Sequence, residues 1–202
     1  MTLPRCSQAP SGQAAINAAQ LACHVPQLET ARLKLRAPTL HDLPAWTEIY
    51  TREDAVHFNS PFTNEDAWTE FFYYTAGWLL HGHGLLSVEL KASNELIGFV
   101  FLGLEWDDIE PEMGWMLRSE HRGNGYAQEA ARVLRDWGTD LLGSGAFVIY
   151  INADHPRSAK VAAALGAKRD TQEEAKIGDG TMVWRHFAPF PGKNTQNPKA
   201  CP

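Results

Sequence analysis

The stretch Glu112-Met113-Gly114-Trp115-Met116-Leu117-Arg118 runs through Ser119-Glu120-His121 into Arg122-Gly123-Asn124-Gly125-Tyr126-Ala127 and then Gln128-Glu129-Ala130-Ala131. Its first part reads as a strand and its last part opens the most regular amphipathic helix in the chain. Two glycines at the junction allow unusual backbone angles and let a ligand approach the main chain closely. The first-turn amides of a helix lack partners inside it, and the helix dipole favours an anion there. Arg122 adds a charged fork matched to phosphate oxygens. On its own the stretch reads as a pyrophosphate site. A P-loop would need Gly-Lys-Ser/Thr, whereas Tyr126 follows Gly125. A dinucleotide fold places its glycines after the first strand of a parallel sheet, and here several strand candidates with hairpin-like turns come first.

Working outward, Leu33-Lys34-Leu35-Arg36 alternates apolar and charged and predicts a half-buried strand. Helical spacing follows, with Leu43, Trp46, Ile49 and Tyr50 on one face. Thr63 and Asp66 have the form of a capping box for a second helix, with a stripe of Ala67, Phe71, Thr75, Trp78 and Leu79. Leu85–Leu90 and Leu96–Leu104 predict a hairpin about Lys91–Asn94. Beyond the central stretch, Ala127, Ala130, Ala131, Leu134, Gly138 and Leu141 form the apolar helix face. Gln128, Glu129, Arg132, Arg135 and Asp136 are expected to face water. Phe147–Ile151 reads as a strand buried on both faces. His155-Pro156 starts a short helix that Gly166 follows, and Gly178-Asp179-Gly180 reads as the turn between two closing strands. The predicted architecture is a single mixed α+β domain over 28–187. It has a central, mostly antiparallel sheet of about seven strands flanked by about four helices. Residues 1–27 are expected to be a loose or weakly helical extension and 188–202 a disordered tail.

With 202 residues, 44% hydrophobic and 21% charged, the chain has enough material for one domain with a real core. A net charge of -6 argues against nucleic acid as the main partner. The three cysteines, Cys6, Cys23 and Cys201, lie in the terminal segments at no metal-ligand spacing, and their odd number fits a reducing, cytoplasmic setting. Ala14–Val25 is interrupted by Asn17, Gln20 and His24, so it lacks the apolar run of a membrane span, and no membrane partner is expected.

Arg122-x-x-Gly125-x-Ala127 resembles the acyl-CoA pyrophosphate signature of the GNAT superfamily of N-acetyltransferases. The wider context is similar to the branch containing the ribosomal-protein N-terminal acetyltransferases: Leu28-Glu29-Thr30-Ala31-Arg32-Leu33, Leu96-Ile97-Gly98-Phe99, Glu112-Met113-Gly114-Trp115, and Gly125-Tyr126-Ala127-Gln128-Glu129-Ala130. The likeness runs from about Leu28 to Phe187. It implies acetyl-CoA as cosubstrate, no metal, and direct transfer to a primary amine of a peptide N-terminus, an amino acid or a small molecule. It also implies that Trp115, Met116, Leu117 and Arg118 pair with the pantetheine through their backbone, one amide stabilising the oxyanion. Arg122, Gly123, Asn124, Gly125, Tyr126 and Ala127 would hold the pyrophosphate. Glu112 matches a position of the base, and Ser158 matches a residue that reaches the sulfur or pantetheine. His155 departs from the pattern, standing where the family carries a helix-capping asparagine that touches pantetheine. A tyrosine used by many members as the thiol's acid has no counterpart beyond Tyr150. Members often dimerise, so a homodimer rests on the resemblance alone.

His81-Gly82-His83-Gly84 has no acidic or cysteine partner at useful spacing and reads as a solvent-exposed turn rather than a metal site. Phe71-Phe72-Tyr73-Tyr74 with Trp78 reads chiefly as core, with an acceptor pocket as the alternative. Glu105–Glu110 reads as a solvated acidic loop that could attract a cationic acceptor. Two competing functions remain. One is an acyl-CoA-binding module without transfer activity; the other is a nucleotide phosphate-binding protein.

Overall fold

Alternating and continuous apolar runs become strands, and the 3.6-residue stripes become helices laid on both faces of one sheet. A computed structural model of the chain describes residues 4–52, 62–106, 108–143 and 145–186. The elements are α1 (Gly12–Ala22), β1 (Leu28–Glu29), β2 (Leu33–Arg36), α2 (Leu43–Thr51), α3 (Asn64–Leu80), β3 (Leu85–Leu90), β4 (Leu96–Gly103), β5 (Glu112–Leu117), α4 (Tyr126–Leu142), β6 (Val148–Ile151), α5 (Pro156–Ala164), β7 (Lys168–Arg169), α6 (Thr171–Ile177) and β8 (Met182–Arg185). The eight strands form one sheet in the order β1-β2-β3-β4-β5-β6-β8-β7. Every neighbouring pair is antiparallel except β5–β6.

Strand alternation divides the core in two. Val100 and Leu102 of β4 and Met113 and Leu117 of β5 pack with Ala130, Ala131 and Leu134 of α4. Phe99 and Phe101 of β4 and Met116 of β5 face the other way, onto Leu43, Trp46, Ile49 and Tyr50 of α2 and Ala67, Phe71 and Tyr74 of α3. Trp46 is wholly buried, and its ring meets Tyr50, Phe71, Tyr74 and Phe99. Burying a side chain of this size stabilises the fold by about 3 kcal/mol before entropy is counted. The α3 capping box forms as predicted, Thr63 and Asp66 each accepting from the other's backbone amide.

Several expectations are corrected. The sheet has one strand more than predicted because β1 and β7 are two-residue strands, too short for an alternating pattern to register. Gly178-Asp179-Gly180 does not join two strands. Gly178 ends α6, which stands between β7 and β8. On α3 the buried stripe shifts to Ala67, Phe71 and Tyr74, and Leu79 is exposed. On α4 Arg135 is buried and Leu141 exposed. The Arg135 guanidinium donates to the Leu165 carbonyl at 2.6 Å and pairs with Asp136, which satisfies the charge inside the fold. His83 is buried too, its Nδ1 at 2.7 Å from the Leu102 carbonyl, so half of the predicted exposed turn belongs to the core.

Helix α1 has no buried side chain and shows Ile16 and Leu21 to solvent. Among the described residues no helix is long and apolar enough to cross a membrane. The expected tail, 188–202, lies outside the described residues.

Candidate active site

The parallel pair β5–β6 is joined at a single register, Glu112 opposite Val148, supported by the Val148 amide donating to the Pro111 carbonyl at 2.9 Å. Beyond that rung β5 stays paired with β4 as far as Leu117, while β6 stays paired with β8 from Val148 to Ile151. The two strands therefore diverge like the arms of a V, with Glu112 at the vertex. Pleat geometry decides which main-chain groups face the gap. The Arg118 amide donates to the Ile97 carbonyl at 3.0 Å. Antiparallel alternation then directs Met116, Gly114 and Glu112 toward β4, and Trp115 and Leu117 toward the gap. Met116 and Arg118 thus face away from the gap. The Met116 side chain is buried in the α2–α3 core, and Arg118 pairs with Glu48 and Glu120.

The gap opens into a cavity of about 320 Å³. Glu112, Trp115, His155 and Ser158 all line it. His155 is the N-cap residue of α5, and its Nδ1 lies 2.9 Å from the Ser158 hydroxyl. Proline at the first helical position sets the start of α5 and so places this pair at the mouth of the fork. The Glu112 carboxyl is pushed up to about 8, chiefly by burial and further by the carboxylates of Glu105 and Asp108; a backbone hydrogen bond from Tyr150 partly opposes this. Burial, with the charges of Asp108, Glu110 and Glu112, raises the Tyr150 phenol to about 12.

Past the far end of β5, a 3₁₀ turn (Ser119–His121) leads to Arg122–Gly125 and α4. Gly123 and Gly125 have φ of 83° and 79°, in the left-handed region. No side chain caps α4, so its first-turn amides point outward from an exposed loop. The Arg122 Nε donates to the Leu117 carbonyl at 3.1 Å, which ties the loop to the strand. Residues 122–127 lie outside the lining of the main cavity. Gly125 instead borders a shallower depression with Arg32 and Arg132. Uncapped amides, two left-handed glycines and an arginine suit a pyrophosphate, so the residues present fit coenzyme A.

Four residues at these sites were invisible as such in the sequence. Arg32 pairs with Glu129 at 2.6 Å, donates to the Asn124 carbonyl at 3.2 Å and lies 4.5 Å from the Tyr126 ring. Thr30 and the Arg32 amide also bond to Glu129. These partners are about a hundred positions apart in sequence, and no local pattern links them. Glu70 of α3 and Tyr50 of α2 line the main cavity. Glu70 stands one helical turn from Tyr74, a spacing that could have flagged it. Tyr74 and Glu105, read chiefly as core and as solvated loop with an acceptor-facing role as the alternative for each, also line the cavity and share a hydrogen bond. Trp78 instead packs against Trp137. Among the described residues no His, Cys, Asp and Glu cluster could hold a metal ion.

Residues 32–168 match the family described as an acetyltransferase (GNAT) domain. The chain is 34% identical over 90 residues to the uncharacterized protein YkkB of Bacillus subtilis (strain 168), 43% of this chain and 51% of that one, so it spans about half the length of this relative. A crystal structure of an acetyltransferase from Agrobacterium tumefaciens str. C58 has a TM-score of 0.75 at 32% identity, covering 81% of this chain and 95% of that one. A RimL ribosomal L7/L12 α-N-protein acetyltransferase in complex with coenzyme A has a TM-score of 0.60 at 16% identity, covering 77% and 93%, and shares the fold. With residues 32–168 matched in sequence and its overall fold matched in structure, the chain belongs to the GNAT acetyltransferases.

Proposed function

We propose that residues 28–187 bind acetyl-CoA along β5 and transfer its acetyl group directly to a primary amine in the cavity above Glu112. The observation that carries this reading is the fork. One rung joins β5 to β6, the main chain of Trp115 and Leu117 turns into the gap, and the uncapped start of α4 lies at its far end. Pantetheine laid along the gap would take the place of the missing strand pairing, with the pyrophosphate at Arg122–Ala127. That a neighbour of this fold was captured with coenzyme A supports the same direction.

The amine arrives mostly as an ammonium ion and must lose a proton to attack. Moving that proton from an alkylammonium of pKa ~10 to an ordinary carboxylate costs roughly 8 kcal/mol, and to a group near 8 roughly 3 kcal/mol. The raised carboxyl of Glu112 therefore removes more than half of the cost. The amine lone pair then attacks the thioester carbonyl, and a β5 amide facing the gap stabilises the oxyanion. The C–S bond breaks as the carbonyl reforms. The acylated nitrogen gives up its second proton to solvent water, and the thiolate takes a proton from the Ser158 hydroxyl, which regains one from solvent through His155. Glu112 releases its proton to water to complete the cycle. The products are an amide and free coenzyme A. In the competing reading the chain binds acyl-CoA without transfer; His155 in place of the capping asparagine and the missing late tyrosine favour it.

Calorimetric titration with acetyl-CoA, coenzyme A and ATP, followed by thiol release with an amine panel, tests the proposal. Binding of both coenzyme A species but not ATP, with thiol released, is the expected result. Absence of coenzyme A binding overturns it, and binding without release to any amine selects the silent module.

A further inference from the structure

The cavity above the fork holds more carboxyl groups than acetyl transfer requires. Glu70 from α3, Glu105 from the loop after β4 and Glu112 at the vertex all line it, and among the described residues no lysine or arginine does. Asp108 adds its field from the same loop. Glu112 is occupied with the reacting amine, and Glu105 accepts a hydrogen bond from the Tyr74 hydroxyl. Glu70 has no hydrogen-bond or ion-pair partner among the described residues. Burial raises its carboxyl, and the charges of Glu105 and Asp66 raise it further. Carboxylates sharing one pocket repel one another, and uptake of a proton or a cationic occupant relieves them.

The rest of the wall is aromatic. Tyr50, Phe62, Tyr74 and Phe101 line the cavity beside these carboxylates. Tyr50 and Phe62 meet edge to face at 5.3 Å, and the Tyr74 and Phe101 rings lie 4.3 Å apart. Two glycines make room for the second pair. A Cβ on Gly114 would stand 2.1 Å from Phe101, and one on Gly103 would stand 2.5 Å from Tyr74. Aromatic faces beside carboxylates bind alkylammonium groups through cation–π attraction combined with charge.

One ammonium needs one carboxylate, and this cavity offers two beyond the base. We infer that the acceptor is an aliphatic amine carrying a second ammonium group, as in an α,ω-diamine. Its reacting nitrogen faces Glu112, and its distal cation lies by Glu70 and Glu105 among the aromatic rings. The inference rests on the acyl-transfer reading and narrows it to a substrate class.

The test uses the full chain with saturating acetyl-CoA and reads thiol release with diaminobutane and diaminohexane against butylamine and hexylamine. Coenzyme A affinity is measured in parallel. A diamine should exceed its matched monoamine in kcat/KM on the order of tenfold or more. Glu70→Gln should shrink that ratio several-fold, on the order of the charge it removes. Equal kcat/KM for both series overturns the inference while leaving acyl transfer standing. Unchanged diamine preference in Glu70→Gln overturns the placement of the distal cation. If coenzyme A binds but neither series turns over, both are titrated into the coenzyme A-loaded chain: tighter diamine binding sustains the inference and equal binding overturns it. Loss of coenzyme A binding itself removes the acyl-transfer reading and this one with it.

Discussion

The two ends of the forked cleft are built from different materials. At the α4 end the groups left open for a ligand are uncapped main-chain amides, beside Gly123 and Gly125 on an exposed loop. At the α2–α3 end they are side chains, carboxylates and rings drawn from α2, α3, β4, β5 and the loop after β4. Main-chain recognition tolerates change in most side chains but depends on backbone conformation. Side-chain recognition tolerates backbone drift but changes with every substitution. A family that shares one cosubstrate and varies its acceptor would need this division.

The largest expected effect breaks the main-chain end. Gly125→Glu puts an anion into the pyrophosphate position at a φ that disfavours any side chain, and coenzyme A affinity should fall by about two orders of magnitude or more. Calorimetry showing wild-type affinity would remove the site from this loop. Next in size is Glu112→Gln, which should lower kcat by roughly a hundredfold while coenzyme A affinity stays within about twofold. Such a split would show that the two ends act independently.

Glu112 also predicts a pH dependence. The base must be ionised, so wild-type kcat/KM should climb as pH rises through about 8, and this break should vanish in Glu112→Gln. Stability should move the opposite way. The carboxyl is raised from 4.5 in the unfolded chain to about 8, so the stability gained from its proton is complete below pH 4.5 and lost as pH climbs through about 8. Glu112→Gln, which does not titrate, should therefore gain in Tm relative to wild type between about pH 5 and pH 9. A constant Tm difference would contradict the raised carboxyl.

Two smaller effects sharpen the contrast. Gly114→Ala drives a methyl into the Phe101 ring, 2.1 Å away, and should cost about 1–3 kcal/mol in stability while raising KM for the amine. Coenzyme A affinity should change less, because the ring belongs to the acceptor wall. Arg32→Ala releases a partly exposed brace from the glycine loop, and a surface pair of this kind is worth only about 1 kcal/mol, or a few-fold in coenzyme A affinity. A double-mutant cycle with Glu129→Gln should show the two losses are not additive.

The same division decides what the sequence reveals. The α4 end is contiguous, so glycine, arginine and helix signals fall within one short window and the proposed phosphate site is suggested by that window alone. Amphipathic α2 and the capped start of α3 are legible for the same reason, since periodicity and capping are local. The acceptor end is assembled by the sheet. Glu70, Glu105 and Glu112 line one cavity only because β4 and β5 pair in one register and α3 packs beside them. Glu112 stands out through the family resemblance and Glu105 through its acidic run, while Glu70 looks like an ordinary surface acid in its own window. Arg135 misled in the opposite sense. A charged residue on the polar side of a helical wheel is buried because the Leu165 carbonyl and Asp136 are there to receive it. Partners of that kind are visible only after folding.

The brace between Arg32 and Glu129 has a further consequence in time. Their backbone-to-side-chain bond spans 97 positions, and the guanidinium of the same arginine donates to the Asn124 carbonyl of the glycine loop. During synthesis the Arg32 segment leaves the ribosome well before the glycine loop, and although β2 can pair with β3 in the meantime, the brace itself must wait for α4. Contacts of such long range form late and slow a fold's completion. The proposed nucleotide end of the cleft, the easiest to read along the chain, is therefore expected to be braced late in folding.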